Sequence, residues 1–139
     1  PKNIISIIEK LSMSLFLCPP TFSQLIAVKA FDNYNLLNKN VLIYKSNRDL
    51  LINAFEDMGL SKYAPPDGAF YLYIDVSKVT NNSTELAIKL LKEAGVSSTP
   101  GTDFDSKSGY KFIRFSYAGS NKEIIEGAKR IDNWIKRKN

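Results

Sequence analysis

The sequence predicts an α/β chain of the two-layer α+β kind: a small β-sheet with helices packed on it, preceded by a long N-terminal helical segment. Two observations predict this. Apolar residues recur at helical spacing in three successive stretches before residue 60, and short aromatic and β-branched runs then alternate with two further helical stripes. The resulting order is three helices followed by β-α-β-β-α, without an internal repeat. A third observation bounds the size: 139 residues, 44% apolar and 24% charged, match one ordinary globular domain with a core of its own.

Each element has its own warrant. Ile4, Ile7, Ile8, Leu11 and Leu15 form the first helical stripe, and Cys18-Pro19-Pro20 stops it. Pro1 suits the first turn of that helix; since a bacterial chain ordinarily begins with methionine, it also reads as the cut end of something longer. Thr21 with Gln24 is a capping-box pattern for a second helix, continued by Leu25, Val28 and Phe31. From about Asn40 to Leu60 a long amphipathic helix is expected. Its apolar face is Leu42, Leu50, Leu51, Ala54, Phe55 and Met58, and Gly59 stands near its end. Ala64-Pro65-Pro66-Asp67-Gly68 is turn chemistry, after which Ala69 to Val76 has the content of a strand. Asn82 and Glu85 open the next helix, Gly95 closes it, and Val96 to Thr99 reads as a short strand ended by Pro100-Gly101. Beyond a loop around Phe104, Tyr110 to Tyr117 is a strand. Ser120 with Glu123 then caps a last helix carrying Ile124, Ala128, Ile131, Trp134 and Ile135.

Composition narrows the function classes. Histidine is absent, which removes Ser-His-Asp and Cys-His catalysis and the commonest zinc ligand, so no metal site is expected. Cys18 is the only cysteine; no intrachain disulfide forms, and a reducing, cytoplasmic compartment is expected. Glu9-Lys10 and Pro19-Pro20 interrupt the longest apolar stretches, so no membrane span is expected. The net charge is +5, with a basic run at Lys136-Arg137-Lys138. A cationic run closing a helix favours the negative end of its dipole, and no zinc, helix-turn-helix or RNP signature accompanies it, so nucleic acid is not an expected partner.

Arg114 is the residue hardest to explain as structure. Strand alternation puts Phe112, Arg114 and Ser116 on one face and Ile113, Phe115 and Tyr117 on the other. A guanidinium there is costly unless it lies at a sheet edge, pairs with a carboxylate such as Asp75, or faces a cavity that receives an anion. Pro66-Asp67-Gly68 and Pro100-Gly101 are ordinary turn signals that also permit close approach of a ligand, and no phosphate loop is present. Tyr71, Tyr73 and Tyr117 serve either as hydrogen-bond donors in a site or as core. Cys18 reads as structural, having no cationic neighbours to lower its acidity.

Taken in order, Ser14 to Gln24, Asn47 to Leu51, Ala64 to Ser77 (APPDGAFYLYIDVS), Gly95 to Asp105 (GVSSTPGTDFD) and Phe112 to Ser120 (FIRFSYAGS) resemble the C-terminal third of class I/II pyridoxal-phosphate aminotransferases. The fold that this resemblance implies is the aspartate aminotransferase fold type I. The resemblance covers nearly the whole chain and rests most on the last three segments. It implies that residues 1–30 are a helical segment from the end of the large domain and the interdomain linker, and that residues 31–139 are the small C-terminal domain. The cofactor-binding large domain would be absent. The Schiff-base lysine and most pyridoxal 5'-phosphate contacts would precede Pro1, leaving no catalytic residue in this part and its cofactor-binding residues unassigned.

The resemblance also implies that Arg114 binds the substrate α-carboxylate, that Gly68 and Phe70 line the small-domain side of the site, and that Thr99-Pro100-Gly101 approaches it. The stretch from Cys18 to Thr21 would lie near a homodimer interface. The implied reaction moves an amino group between an amino acid, aspartate being one candidate, and a 2-oxo acid, with the isolated part inactive. Carbon–sulfur lyases share the fold, and a non-catalytic dimerisation or binding module is a further alternative.

Overall fold

A computed structural model describes residues 2–138 of the chain; the reading of Pro1 lies outside them. The chain forms two compact units, Pro1–Lys39 and Asn40–Asn139.

The first unit contains α1 (Lys2–Leu15), α2 (Thr21–Ala30), a 3-10 turn (Phe31–Asn33) and the opening turns of α3 (Tyr34–Asp57). The Pro19-Pro20 break separates α1 from α2, and Leu17 beside it takes a left-handed φ of 57°. The expected capping box does not form. Pro20 occupies the N-cap position, Thr21 is already helical, and Gln24 Nε2 instead donates to the Pro19 carbonyl at 2.7 Å. Among the described residues the helical stripes exist but stay uncovered, with Ile7, Leu11, Leu25 and Phe31 all more than half exposed.

Helix α3 starts six residues before the expected Asn40. Asn35, Asn38 and Asn40 are cap-type residues, but here they sit inside the helix with exposed side chains, where they compete little with the backbone ladder. Its buried face in the second unit is Asn47, Leu51 and Phe55, whereas Leu42 is exposed, unlike the expected apolar face. Gly59, at φ 78°, ends this segment, as its permissive backbone suggests.

The second unit is built on a three-stranded antiparallel sheet in the order β1-β3-β2: β1 is Tyr71–Asp75, β2 Thr99–Pro100 and β3 Phe112–Ser116. Strand β2 falls later than the expected Val96–Thr99. The helix α4 (Ser83–Lys89) runs on through a π turn at Leu90–Ala94, and the Val96 amide still bonds the Leu90 carbonyl at 3.1 Å, which keeps it out of the ladder. A 3-10 turn at Gly109–Lys111 likewise takes the first residues expected of β3.

One face of the sheet is core. Leu72, Ile74, Ile113 and Phe115 are buried with Leu51 and Phe55 of α3, Leu86 of α4, and Ala128, Ile131 and Trp134 of α5 (Asn121–Lys136). The Phe55 and Phe115 rings stand 5.0 Å apart. Each such large apolar side chain contributes about 1.5–3 kcal/mol of burial, enough in sum to fix strand register. The two caps expected in this unit form: Asn82 accepts from the Glu85 amide at 3.1 Å, and Ser120 with Glu123 makes a reciprocal capping box at the start of α5. No described helix is long and apolar enough to cross a membrane.

Candidate functional site

The other face of the sheet carries the chemistry. Because directly opposed residues share a face, the register Tyr73↔Arg114↔Thr99 and Tyr71↔Ser116 puts Tyr71, Tyr73, Thr99, Phe112 and Arg114 together, away from the core. The aromatic side chains of this face pack on one another: Tyr73 stacks on Phe112 at 4.9 Å and 9°, and Phe104, from the loop after β2, meets the Tyr73 ring edge-on at 6.3 Å.

Arg114 is half-buried at the centre of this face. Two of its structural explanations fail. Strand β3 lies between β1 and β2, so Arg114 is not on an edge. Asp75 does not pair with it either, but accepts from the Ser77 amide at 2.8 Å. Partial burial pulls the Asp75 carboxyl upward, yet the hydrogen bonds from Ser77 and the charges of Lys111 and Lys62 outweigh it and hold the group below its ordinary value. Among the described residues Arg114 has no carboxylate within ion-pair distance. Its guanidinium carbon instead lies 4.1 Å from the centre of the Tyr71 ring and 4.5 Å from that of Phe104, and Nη2 donates to Thr99 Oγ1 at 3.3 Å.

Phe70, just outside β1, is partly exposed and joins this cluster through Tyr71, ring to ring at 4.3 Å. Its backbone carbonyl accepts from the Tyr117 amide at 2.9 Å, which ties it to the end of β3. Gly68 stands in open space: a Cβ there would meet nothing within 4 Å, and the left-handed conformation in this turn belongs to Ala69, at φ 56°. Nothing in the protein's own packing requires glycine at 68.

The Thr99-Pro100-Gly101 segment runs beside Arg114 because Thr99 pairs with it across β2 and β3, and just beyond, Gly101 and Gly109 pack backbone on backbone. A Cβ on Gly101 would sit 2.5 Å from the Gly109 carbonyl oxygen and 2.6 Å from the Tyr73 hydroxyl. That hydroxyl is buried with no hydrogen-bond partner among the described residues, and burial, with the nearby charge of Asp105 adding, pushes the phenol above its ordinary value. Tyr117 faces the core, and Cys18 is an exposed thiol in the first unit.

The second unit's larger cavities lie elsewhere. One of about 540 Å³ is lined by Leu50, Asp57, Ile125 and Lys136, and one of about 470 Å³ by Trp134, Lys78 and Lys89. Neither includes Arg114. A cation flanked by aromatic faces, with a single donor engaged among the described residues, is suited to receive an anion, whereas the lysines of the second cavity already hold Gly59, Glu85 or Glu93. Sequence reasoning missed Phe104 and Tyr71 as neighbours of Arg114. The loop ring has no periodicity to betray it, and the diagonal contact from β1 depends on a register that only the pairing reveals.

Comparison with known proteins gives consistent results. The family described as aminotransferase class I and II matches residues 1–131. A valine–pyruvate aminotransferase of Mycobacterium tuberculosis is 39% identical over 92% of this chain and 34% of its own length. An aspartate aminotransferase of Sulfolobus acidocaldarius is 28% identical over 96% of the chain and 34% of its own length. The crystal structure of an aminotransferase from M. tuberculosis superposes with a TM-score of 0.83 at 39% identity, over 94% of this chain and 34% of that one. The chain thus spans about a third of the length of the curated relatives it matches.

Proposed function

Because this chain belongs to the class I and II aminotransferases, we propose that it is the C-terminal part of an enzyme that moves an amino group between an amino acid and a 2-oxo acid, with Arg114 binding the substrate's α-carboxylate. The observation that carries the reading is the state of Arg114. It is half-buried on a central strand, held by two rings and one hydroxyl, and paired with no carboxylate among the described residues. A guanidinium fork offers two parallel donors to a carboxylate, and partial burial strengthens that pair relative to water.

Gly68 and Phe70 line the same site in this reading: the open space at Gly68 admits a ligand, and Phe70 extends the ring cluster beside Arg114. We assign residues 1–30 to the large domain and linker, and residues 31–139 to the small domain. The uncovered apolar side chains of α1 and α2 support further protein packing there, by a large domain and a homodimer partner.

Pyridoxal 5'-phosphate would supply the electron sink for the reaction. The donor set around Arg114, one guanidinium and one hydroxyl, suits a carboxylate and forms no phosphate cradle, so the cofactor's contacts belong in this reading to a longer protein. What this chain contributes is binding and orientation of the amino acid. The relatives named for valine and for aspartate make an apolar and an acidic amino acid the two substrates to compare. The test is a single-turnover spectrum of the full-length, cofactor-loaded enzyme mixed with L-aspartate or L-valine, beside Arg114→Ala. Conversion of the cofactor's absorbance in the parent, with far more amino acid required by the variant, supports the reading; an unchanged concentration dependence in the variant refutes the role of Arg114. Elimination without conversion would instead favour a lyase.

A further inference from the structure

We propose that Tyr71 and Phe104 are positioning residues that hold the plane of the Arg114 guanidinium without neutralising it, while Thr99 sets its rotation; the inference rests on the carboxylate-binding reading above. The problem these residues solve is physical. An arginine side chain has several rotatable bonds, and a bidentate partner must find one particular edge of the fork. An aspartate would fix that edge but would also occupy the donors and cancel the charge. Aromatic faces attract a guanidinium through the ring quadrupole and take none of its N–H groups.

The geometry fits that role. The guanidinium carbon is 4.1 Å from one ring centre and 4.5 Å from the other, both well inside cation–π range. Of the five N–H donors a guanidinium carries, the described residues engage only the one given to Thr99 Oγ1 at 3.3 Å. The two rings are themselves held. Tyr71 belongs to β1 and packs on Phe70. The Phe104 amide bonds the Gly101 carbonyl at 3.0 Å, and its ring abuts Tyr73. Phe104 nevertheless remains 53% exposed. A ring that open adds little to the core of this unit, so its packing is directed at Arg114 and Tyr73.

The experiment uses the full-length enzyme with Phe104→Leu, Tyr71→Leu and the conservative Phe104→Tyr. Each is mixed with the better substrate of L-valine and L-phenylalanine, and with that substrate's decarboxylated amine, isobutylamine or phenethylamine, which carries no carboxylate. Leucine keeps apolar bulk and removes the quadrupole. Either leucine variant is expected to raise the half-saturating amino-acid concentration about tenfold, the equivalent of ~1.4 kcal/mol. The amine's half-saturation and the rate at saturation stay within about twofold, and Phe104→Tyr restores parental behaviour. Calorimetric titration with 3-phenylpropanoate, a carboxylate that cannot react, is expected to weaken by a similar factor. A rise shared equally by amino acid and amine would mean that the rings merely support the fold, and an unchanged carboxylate affinity would overturn the inference as well. Arg114→Ala separates the two levels: if preference for the amino acid over its amine survives that variant, the carboxylate reading itself fails, whereas loss of preference there but not in the leucine variants sinks only the positioning role.

Discussion

Asn47 offers the sharpest test of how the sheet is held in place. It is fully buried on α3; Nδ2 donates to the carbonyls of Tyr117 at 3.1 Å and Gly119 at 2.9 Å, and Oδ1 accepts from Asn121 at 3.3 Å. The side chain thereby fastens α3 to the segment that leaves β3 and enters α5. Asn47→Ala strands two carbonyls and an amide. At about 1–3 kcal/mol for a buried unsatisfied group, and less for the partly exposed ones, the total is roughly 3 kcal/mol. With a urea slope of about 1–3 kcal/mol per M, the midpoint falls by roughly 1–3 M.

Asn47→Asp adds a diagnostic. The shape is kept, but an oxygen replaces the two donors and faces two carbonyls, so the introduced carboxyl is held protonated more firmly in the folded than in the unfolded chain. Its folded pKa is raised. The deficit is therefore smallest below the unfolded carboxyl value of about 3.9 and deepens as pH rises toward the raised folded value. Urea unfolding followed by Trp134 reports this directly, since it is the chain's single tryptophan, buried in the second unit with its indole N–H on Glu93 at 2.8 Å. A cost below ~0.5 kcal/mol for the alanine variant, or a pH-independent deficit for the aspartate variant, would refute the account.

Two further outcomes are expected. Gly101→Ala puts a Cβ within 2.5 to 2.7 Å of two carbonyl oxygens and the Tyr73 hydroxyl, and backbone cannot step aside cheaply. Thermal unfolding should show a loss of roughly 1–3 kcal/mol, and an unchanged melting temperature would contradict the close packing. Glu123 accepts from the Ser120 hydroxyl at 2.7 Å and amide at 2.9 Å, and these bonds hold its carboxyl below the ordinary value. A depressed folded pKa means a stabilising contribution that is complete above the unfolded value and lost as pH falls through the lowered one. Glu123→Gln should therefore flatten the acid limb of the stability profile, and an identical limb in the variant would rule the capping box out as its cause.

How far the sequence sufficed can be judged element by element. The order of helices and strands was legible because each carries its own period and punctuation: the Asn82 and Ser120 caps, the glycines at 59 and 95, and the Pro19-Pro20 break all act within a few residues of chain. What escaped was decided by contacts across the chain. Thr21 reads as a cap from its spacing to Gln24, but the cap geometry belongs to Pro20. Asn47 looks like one more polar residue on an amphipathic helix, and only the distant carbonyls of Tyr117 and Gly119 make it a buried anchor. Strand alternation correctly put Arg114 on the face away from Ile113 and Phe115. It could not say that this strand is central, nor which rings would meet the guanidinium, because both depend on pairing partners far away in sequence.

That division explains why the core and the candidate site are one problem. Along β3 the side chains alternate, so the burial of Ile113 and Phe115 is what turns Arg114 outward. A slip of one residue would carry the guanidinium into a core of Leu72, Ile74 and Phe55 with no anion to meet it, at a penalty of several kcal/mol for the buried charge, while two large apolar side chains moved into water. The aim of the arginine is thus enforced chiefly by residues that never approach a ligand. Asn47 reinforces the same register from the strand's far end by fixing where Tyr117 leaves the sheet. The rings of Tyr71 and Phe104 then act on a side chain whose direction is already settled, and have only its plane left to hold.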